Sequence, residues 1–399
     1  MTPAQTLEII GLGHRGEGIA YVEGAPVFVP HTLAGETIIA EVSGNRGRLL
    51  DIVEPSPDRV APFCPHFGRC GGCQLQHMAP SSYGAFKRDL VVSALAHAGV
   101  EADVAEPVIA HGTGRRRVTL HATRHGAGFM GLRSHDIHPI EACPILVPAL
   151  VKAPEIAARI AALLGPCDVA FTVADTGLDV AIKGKGLKPS AAIAELARRY
   201  DIARVSLNGE PLYSVRAPLL ALGKAGVALP VAGFLQATAA AEAELATRVT
   251  DAARGLKSMA DLFSGIGPFA LRLAQIAPVF AADSDKAAID ALAKAVRTTT
   301  GLKPLSAECR DLFREPLTPF ELNRFDCVVL DPPRAGAKAQ VLELAKAKVK
   351  RVIYVACDPQ SFGRDAAILV AAGYRIGTVT PVDQFAFSAH IELLAVFDR

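Results

Sequence analysis

From about residue 231 to its end, the chain alternates short apolar runs with helix-length stretches. This alternation constrains the fold more than any other feature. The strand-like runs are SMADLF, APVFAAD, KPLSAE, FDCVVLD, RVIYVA, RIGTVT and HIELLAVF, with helical stretches between the first six. Strands fed by helices predict an open parallel sheet of the Rossmann-like α/β kind. The last two runs lack an intervening helix, which predicts a hairpin and one antiparallel strand.

Two other textures precede this region. Residues 1–57 hold short strand candidates punctuated by glycine, among them LEIIGLG, GIAYVEG, APVFVP and ETIIAEVSG. No long helix fits, and the pattern predicts a small closed or half-closed β-barrel. The proline-rich PSPDRVAPFCP reads as a linker. Residues 58–230 mix a cysteine-rich segment, a helix over YGAFKRDLVVSALAHAG and further strands and helices, a mixed α+β central domain. The length of 399 residues suits such a multi-domain chain.

Charge excludes little, since 42 basic residues face 40 acidic ones, and only local clustering can point to nucleic acid. No apolar run is long enough to predict a membrane span. The first residues, MTPAQTLEII, lack the pattern of a secretory signal. A cytoplasmic location is the expectation. There, eight cysteines are catalytic, metal-binding or inert rather than paired in disulfides. Nothing demands an oligomer, so a monomer is expected.

The chemistry-bearing residues gather at predicted strand ends, where ligands bind in such sheets. DLFSGIG follows the first strand; Gly265 and Gly267 suit a tight turn and close backbone approach. Asp283 ends the next strand and suits ribose hydroxyls, and Asp311 after the third suits an exocyclic amine. The loop lacks a three-glycine dinucleotide spacing and a Walker lysine, which favours a nucleoside without a phosphate grip. Asp331 ends FDCVVLD and leads into PPRAG, and Cys357 ends RVIYVA. Adjacent parallel strands place these two side by side. Glu392 opens the last strand and reaches the same edge if that strand is antiparallel to RVIYVA. A thiol at such an edge is a nucleophile once ionised. Cys167 and Cys327 read as small apolar residues.

Cys64, Cys70 and Cys73 have C-x5-C-x2-C spacing, with Cys143 some seventy residues on. Four thiolates suit zinc or an iron–sulfur cluster. Arg115, Arg116, Arg117 and Arg124, with Arg46 and Arg48 in the first segment, are candidate phosphate contacts, each equally readable as a solvated surface charge. The five histidines between 111 and 138 read as surface or RNA-facing.

Together, GIG, DPPRAG, YVACDP and AHIE resemble the uracil carbon-5 RNA methyltransferases, which use S-adenosylmethionine on a class I methyltransferase fold. The resemblance spans nearly the whole chain. IGLGHRGEGIAYVEGAPVFVPHTLAGE looks like the TRAM barrel of one branch. The resemblance implies a [4Fe–4S] cluster on Cys64, Cys70, Cys73 and Cys143. It implies that Cys357 adds to uracil carbon 6, that Glu392 removes the carbon-5 proton, and that Asp331 contacts the cofactor and holds the base. Gln236, Phe263 and Asp283 match other cofactor-binding positions. A TRAM-like segment together with four cysteines leans towards 23S rRNA, or its assembly intermediate, as partner. The chain departs from the family at Thr238 and Pro268, where asparagine is common, at Asp283, where glutamate is common, and at Asp358 in ACDP. Two other readings remain open. One is an amino-group methyltransferase built on the DPP motif; the other is a non-catalytic RNA-binding or assembly factor.

Overall fold

The computed structural model describes residues 4–399. Met1, Thr2 and Pro3, at the start of the expected barrel and of the stretch searched for a signal, lie outside the described residues. Among the described residues no helix is long and apolar enough to cross a membrane.

In the N-terminal sheet Ala4–Glu8 pairs with Thr37–Ser43 at one edge, and Gly11–Leu12 pairs with Gly18–Val22 at the other. These two edge strands are one bent segment. The Ile9 amide donates to the Glu36 carbonyl, while the next amide, Ile10, donates to Ile19. The sheet therefore curls back on itself through a single bend, around a core of Leu7, Ile9, Ala20, Val27, Val29, Ile38 and Ala40. Alternating inward apolar residues at period two make this possible.

The C-terminal sheet runs in the spatial order Leu305–Cys309, Val279–Asp283, Met259–Leu262, Cys327–Leu330, Arg351–Ala356, Glu392–Asp398, Thr380–Asp383, Val108–Ile109. The first five strands are parallel, and Glu392–Asp398 inserts antiparallel to both its neighbours. This is the expected α/β architecture with its one reversed strand. The strands that start at Cys327 and Arg351 are buried almost throughout, which suits a sheet covered on both faces. Cys327 is wholly buried, as its apolar reading required, and Cys167 is buried in the central sheet.

The N-terminal core ends at Ile52, close to the expected limit at 57, but the 58–230 segment does not keep to one core of its own. The helix Pro80–His97 packs Val91 and Leu95 into the core that also holds Tyr354, Phe362 and Phe397. Val108–Ile109 extends the C-terminal sheet. The hairpin Leu219–Leu222 and Ala225–Ala228 buries Leu220, Leu222 and Val227 in the other face of that domain. What remains between is a seven-stranded, mostly antiparallel sheet from Arg117 to Ser214, with the helices Ala153–Leu164 and Ala192–Arg199 on its own core. Local texture could not reveal these allegiances, because they are set by which distant apolar face each segment covers.

One buried polar cluster fastens the early helix to the late strands. Asp383 accepts hydrogen bonds from Tyr83 (2.5 Å), Lys87 (2.8 Å) and His111 (2.8 Å). Lys87 is wholly buried and also donates to the carbonyls of Phe385 and His390. His111, expected at the surface or facing RNA, is half-buried and engaged by Asp383. Burial alone would raise the Asp383 carboxyl, but the bonds from His111, Lys87 and Tyr83 outweigh it and hold the group at about 2. The folded value lies below the unfolded one, so this contribution is complete above about pH 4 and is lost as pH falls towards 2. Lys87→Met leaves the buried carboxylate without its ammonium partner. It is expected to lower the unfolding free energy by about 3–5 kcal/mol, read from the midpoint of a urea titration at pH 7. A loss under about 1 kcal/mol would contradict the cluster's role.

Candidate active site

A cavity of about 970 Å³ opens where the carboxyl ends of the central parallel strands face the central sheet. Gln236, Phe263, Gly265, Asp283, Asp331, Cys357 and Glu392 line it on the side of the C-terminal domain.

The floor is the loop after Met259–Leu262. Phe263 takes a left-handed backbone (φ 64°), as do Gly265 (φ 52°) and Gly267 (φ 85°). The two glycines serve different ends. A Cβ on Gly265 would meet nothing within 4 Å, so this glycine supplies the turn and leaves open space above it. A Cβ on Gly267 would lie 2.5 Å from Leu292 Cδ1, so this glycine permits packing; it does not line the cavity. Asp283 Oδ2 accepts from the Gly265 amide at 2.8 Å and Oδ1 from Asp285 at 2.8 Å. The carboxylate is fixed, with lone pairs left for a ligand hydroxyl.

Asp311 does not join it. Its Oδ1 accepts from the Phe313 amide, its Oδ2 faces Arg314, and it is absent from the cavity wall. The aspartate caps its own turn, a task that competes with ligand binding wherever a short carboxylate precedes a free amide. Phe313 takes the wall position instead, tilted against Phe263 with ring centroids 5.5 Å apart. Sequence reading missed Phe313, two residues beyond the carboxylate it favoured.

The opposite wall carries the reactive groups, and strand register explains their meeting. Arg351–Ala356 pairs with Glu392–Asp398 so that Ala356 lies opposite Leu393. One step further out, Cys357 and Glu392 come together at the edge. Cys327–Leu330 lies on the other side of Arg351–Ala356 and delivers Asp331. Asp331 borders the cavity yet lies deep in the protein, and burial, then the Asp283 charge, pushes its carboxyl up to about 7. Glu392 is pushed up to about 8 by burial and by Asp331, against a hydrogen bond from Gln384 and the charge of Arg334. Burial, then Glu392 and Asp331, raises the Cys357 thiol to about 12, while Arg334 opposes the rise. Asp358 adds only weakly to that rise. Its side chain accepts from the Ser361 amide at 2.9 Å and caps the helix Pro359–Ala371. Thr238 likewise caps the helix Ala239–Ala252 and donates to the Ala110 carbonyl.

The four cysteines Cys64, Cys70, Cys73 and Cys143 share the far corner of the cavity, and all are free thiols. Burial raises Cys73 to about 12 and Cys143 to about 11. Gln76 accepts from the Cys64 amide, and Arg115 lies beside Cys143 and Cys73. As thiols they do not close to metal-ligand spacing: among the described residues no three histidine, cysteine or acidic side chains do. The donor set and its basic, half-buried surroundings suit an anionic thiolate cluster.

The arginines divide. Arg115 and Arg117 line the cavity, the first above the Phe385 ring and the second above the exposed Phe234. Arg46 pairs with Glu17, Arg48 pairs with Glu41 and is exposed, and Arg124 is exposed. Arg116 is not a surface cation. It is buried, donates to Glu242 at 2.6 Å and to the Gln236 carbonyl, and so ties the central sheet to the C-terminal domain. A run of three arginines on a strand start must point alternately, and the middle one points inward.

The sequence profile of the tRNA (uracil-5-)-methyltransferases matches residues 229–399. A Caulobacter vibrioides protein described as an RNA methyltransferase is 44% identical over 99% of this chain and 100% of its own length. A Halomonas elongata protein named 23S rRNA (uracil(1939)-C(5))-methyltransferase RlmD is 31% identical over 98% of this chain and 89% of its own. The chain belongs to the RNA (uracil-5-)-methyltransferase family. The solved Pyrococcus abyssi tRNA (uracil-54, C5)-methyltransferase, in complex with S-adenosyl-L-homocysteine, shares the fold, with a TM-score of 0.78 and 24% identity over 98% of this chain and 99% of its own.

Within this uracil-5-methyltransferase site, sequence reading also missed Gln384 and Arg334. Arg334 sits inside DPPR and was available to it; Gln384 is eight residues before Glu392 and carries no motif. The acid-rich wall has a direct consequence for the thiol. Since the thiolate is the reactive form, iodoacetamide at pH 7 should label the exposed Cys309 well before Cys357, with Cys357 labelling rising steeply with pH. Peptide mass spectrometry over time reads this. Equal rates at pH 7 would show that the buried carboxyls do not suppress the thiolate.

Proposed function

We propose that this chain transfers a methyl group from S-adenosylmethionine to carbon 5 of a uridine in 23S rRNA, or in its assembly intermediate, through a covalent bond between Cys357 and uracil carbon 6. The observation that carries this reading is the meeting of Cys357, Glu392 and Asp331 at one cavity edge, facing the open floor at Gly265. A binding-only protein has no use for a half-buried thiol between the carboxyls of Asp331 and Glu392, and an amino-group methyltransferase needs no thiol.

The residues present fit the cofactor. Gly265 leaves room that a side chain would fill, Asp283 offers lone pairs to ribose hydroxyls, and Phe263 with Phe313 offers an aromatic wall to a planar base. Gln236 and Asp331 complete the contact set. S-adenosylmethionine, when bound, supplies an electrophilic methyl group and a positive sulfonium. The protein does the rest. The Cys357 thiolate adds to carbon 6, and the electrons of the 5,6 double bond move towards the carbon-4 oxygen, which makes carbon 5 nucleophilic. After methylation carbon 5 carries a surplus proton. Glu392 accepts it, the double bond re-forms, and Cys357 leaves as thiolate. Arg334 favours that thiolate throughout. The base must leave its helix to reach the cavity, since a stacked uracil cannot meet the thiol.

The four cysteines would hold a [4Fe–4S] cluster that ties the Cys64–Cys73 loop to the segment before Cys143, a structural task. The N-terminal sheet would act as a TRAM-type RNA-binding barrel with Arg46 and Arg48, and Arg115, Arg117 and Arg124 would extend the basic path. Arg115 and Arg117, at the cavity, are placed to meet phosphates beside the flipped base. Cytoplasmic work as a monomer is consistent with this reading.

Nucleoside analysis tests it. Incubation of the protein and S-adenosylmethionine with unmodified 23S rRNA should yield 5-methyluridine, with none from Cys357→Ala and little on bulk tRNA. Methylation that survives Cys357→Ala would favour the amino-group chemistry, and 5-methyluridine mainly in tRNA would overturn the rRNA assignment. Protein purified without oxygen should carry about four iron atoms per chain; one zinc and no iron would contradict the cluster.

A further inference from the structure

The chemistry above gives no task to Gln384, the residue that follows the Thr380–Asp383 strand. It is 1% exposed. Its Oε1 accepts from the Ala237 backbone amide at 2.7 Å. A backbone N–H can only donate, so this contact fixes which end of the side chain is oxygen. The NH2 end therefore donates to Gln236 Oε1 at 2.6 Å and to Glu392 Oε2 at 3.1 Å. Gln236 in turn reaches Asp331 Oδ2 through its Nε2 at 3.4 Å. A single run of contacts thus joins the carboxyls of Asp331 and Glu392 through two neutral amides. Gln384 is the one protein group that donates to Glu392 among the described residues, and it engages Oε2 alone. Its backbone cannot drift, since the preceding residue is the Asp383 held by Tyr83, Lys87 and His111.

We propose that Gln384 is the positioning residue of the general base: its amide holds Glu392 Oε2, leaves Oε1 free to take the carbon-5 proton, and favours the ionised carboxylate. The proposal rests on the reading of Glu392 as base and adds what aims and tunes it. The charged and titratable groups that face Glu392 are Asp331, which opposes its ionisation, Arg334, which favours it, and Cys357, whose thiol Glu392 itself raises. Asp383, on the neighbouring strand, is already engaged by its own three donors. A donor to a carboxylate stabilises its charged form. Without Gln384 the carboxyl keeps its proton to higher pH and is free to rotate.

The test uses the full chain, methyl-labelled S-adenosylmethionine and a 23S rRNA transcript, with Gln384→Met, Gln384→Glu and Glu392→Gln beside the unaltered protein. Once carbon 5 is methylated, the protein–RNA bond breaks only when the carbon-5 proton is removed. Gln384→Met should accumulate a covalent protein–RNA adduct carrying the labelled methyl, and so should Glu392→Gln. Its kcat should fall by at least about tenfold, with the KM for RNA little changed. The acid limb of its pH–rate profile should move up by about one pH unit. Gln384→Glu puts a third carboxyl beside Glu392 and should move that limb further, which decides the matter if the methionine variant does not fold. The positioning role is overturned if the variants turn over at the unaltered rate and pH profile. It is equally overturned if they lose methyl incorporation without accumulating adduct. Glu392→Gln without adduct would instead overturn the base assignment, and Gln384's role with it.

Discussion

The buried carboxylate of Asp383 is the point on which the architecture turns. A carboxylate in a protein interior is tolerable only when donors surround it, and here the donors come from a helix nearly three hundred residues earlier and from the segment that extends the C-terminal sheet. That requirement brings the Pro80–His97 helix onto the methyltransferase-like domain and fixes the end of Thr380–Asp383. It also shapes the loop back to Glu392, because Lys87 holds the carbonyls of Phe385 and His390. The cysteine segment joins the same loop, since the amides of Gln74 and Leu75 both donate to the Phe387 carbonyl. The cysteine segment, the early helix, the sheet extension and the late loop thus meet behind Glu392.

In front of it lies a cavity whose acids hold one another back. Asp331 and Glu392 share a low-dielectric wall: Asp283 raises the hold of Asp331 on its proton, Asp331 raises that of Glu392, and both raise that of Cys357. Such a site is suited to a positive ligand, because a sulfonium beside these groups favours all three anions at once. The protein's own cation there, Arg334, acts in the same direction.

Much of this was legible in the sequence for a physical reason: strand ends in a parallel sheet share one edge, so Asp331, Cys357 and Glu392 could be placed together from order alone. Parallel alternation gave the C-terminal sheet, and the missing last helix gave its reversed strand. What was not legible depended on distant partners. Arg116 could not be told from Arg115 and Arg117 until Glu242 was seen to face it. Asp311 looked like a ligand group because its competing task, capping Phe313, is a matter of backbone geometry. The extent of the middle segment was hidden because the 80–110 stretch and the 219–229 hairpin belong by packing to cores formed much later in the chain. Gln384 carried no motif at all; its partners are Ala237, Gln236 and Glu392, and only the fold brings the first two near.

The covalent mechanism is tested most directly with RNA in which 5-fluorouridine replaces uridine. Fluorine at carbon 5 cannot be taken as a proton by Glu392, so the bond between enzyme and base should not resolve. The mechanism predicts a stable protein–RNA adduct that forms only with S-adenosylmethionine present, and whose proteolytic fragment carries the nucleotide on Cys357. Attachment at another residue, or no adduct from protein that methylates ordinary RNA, would contradict it.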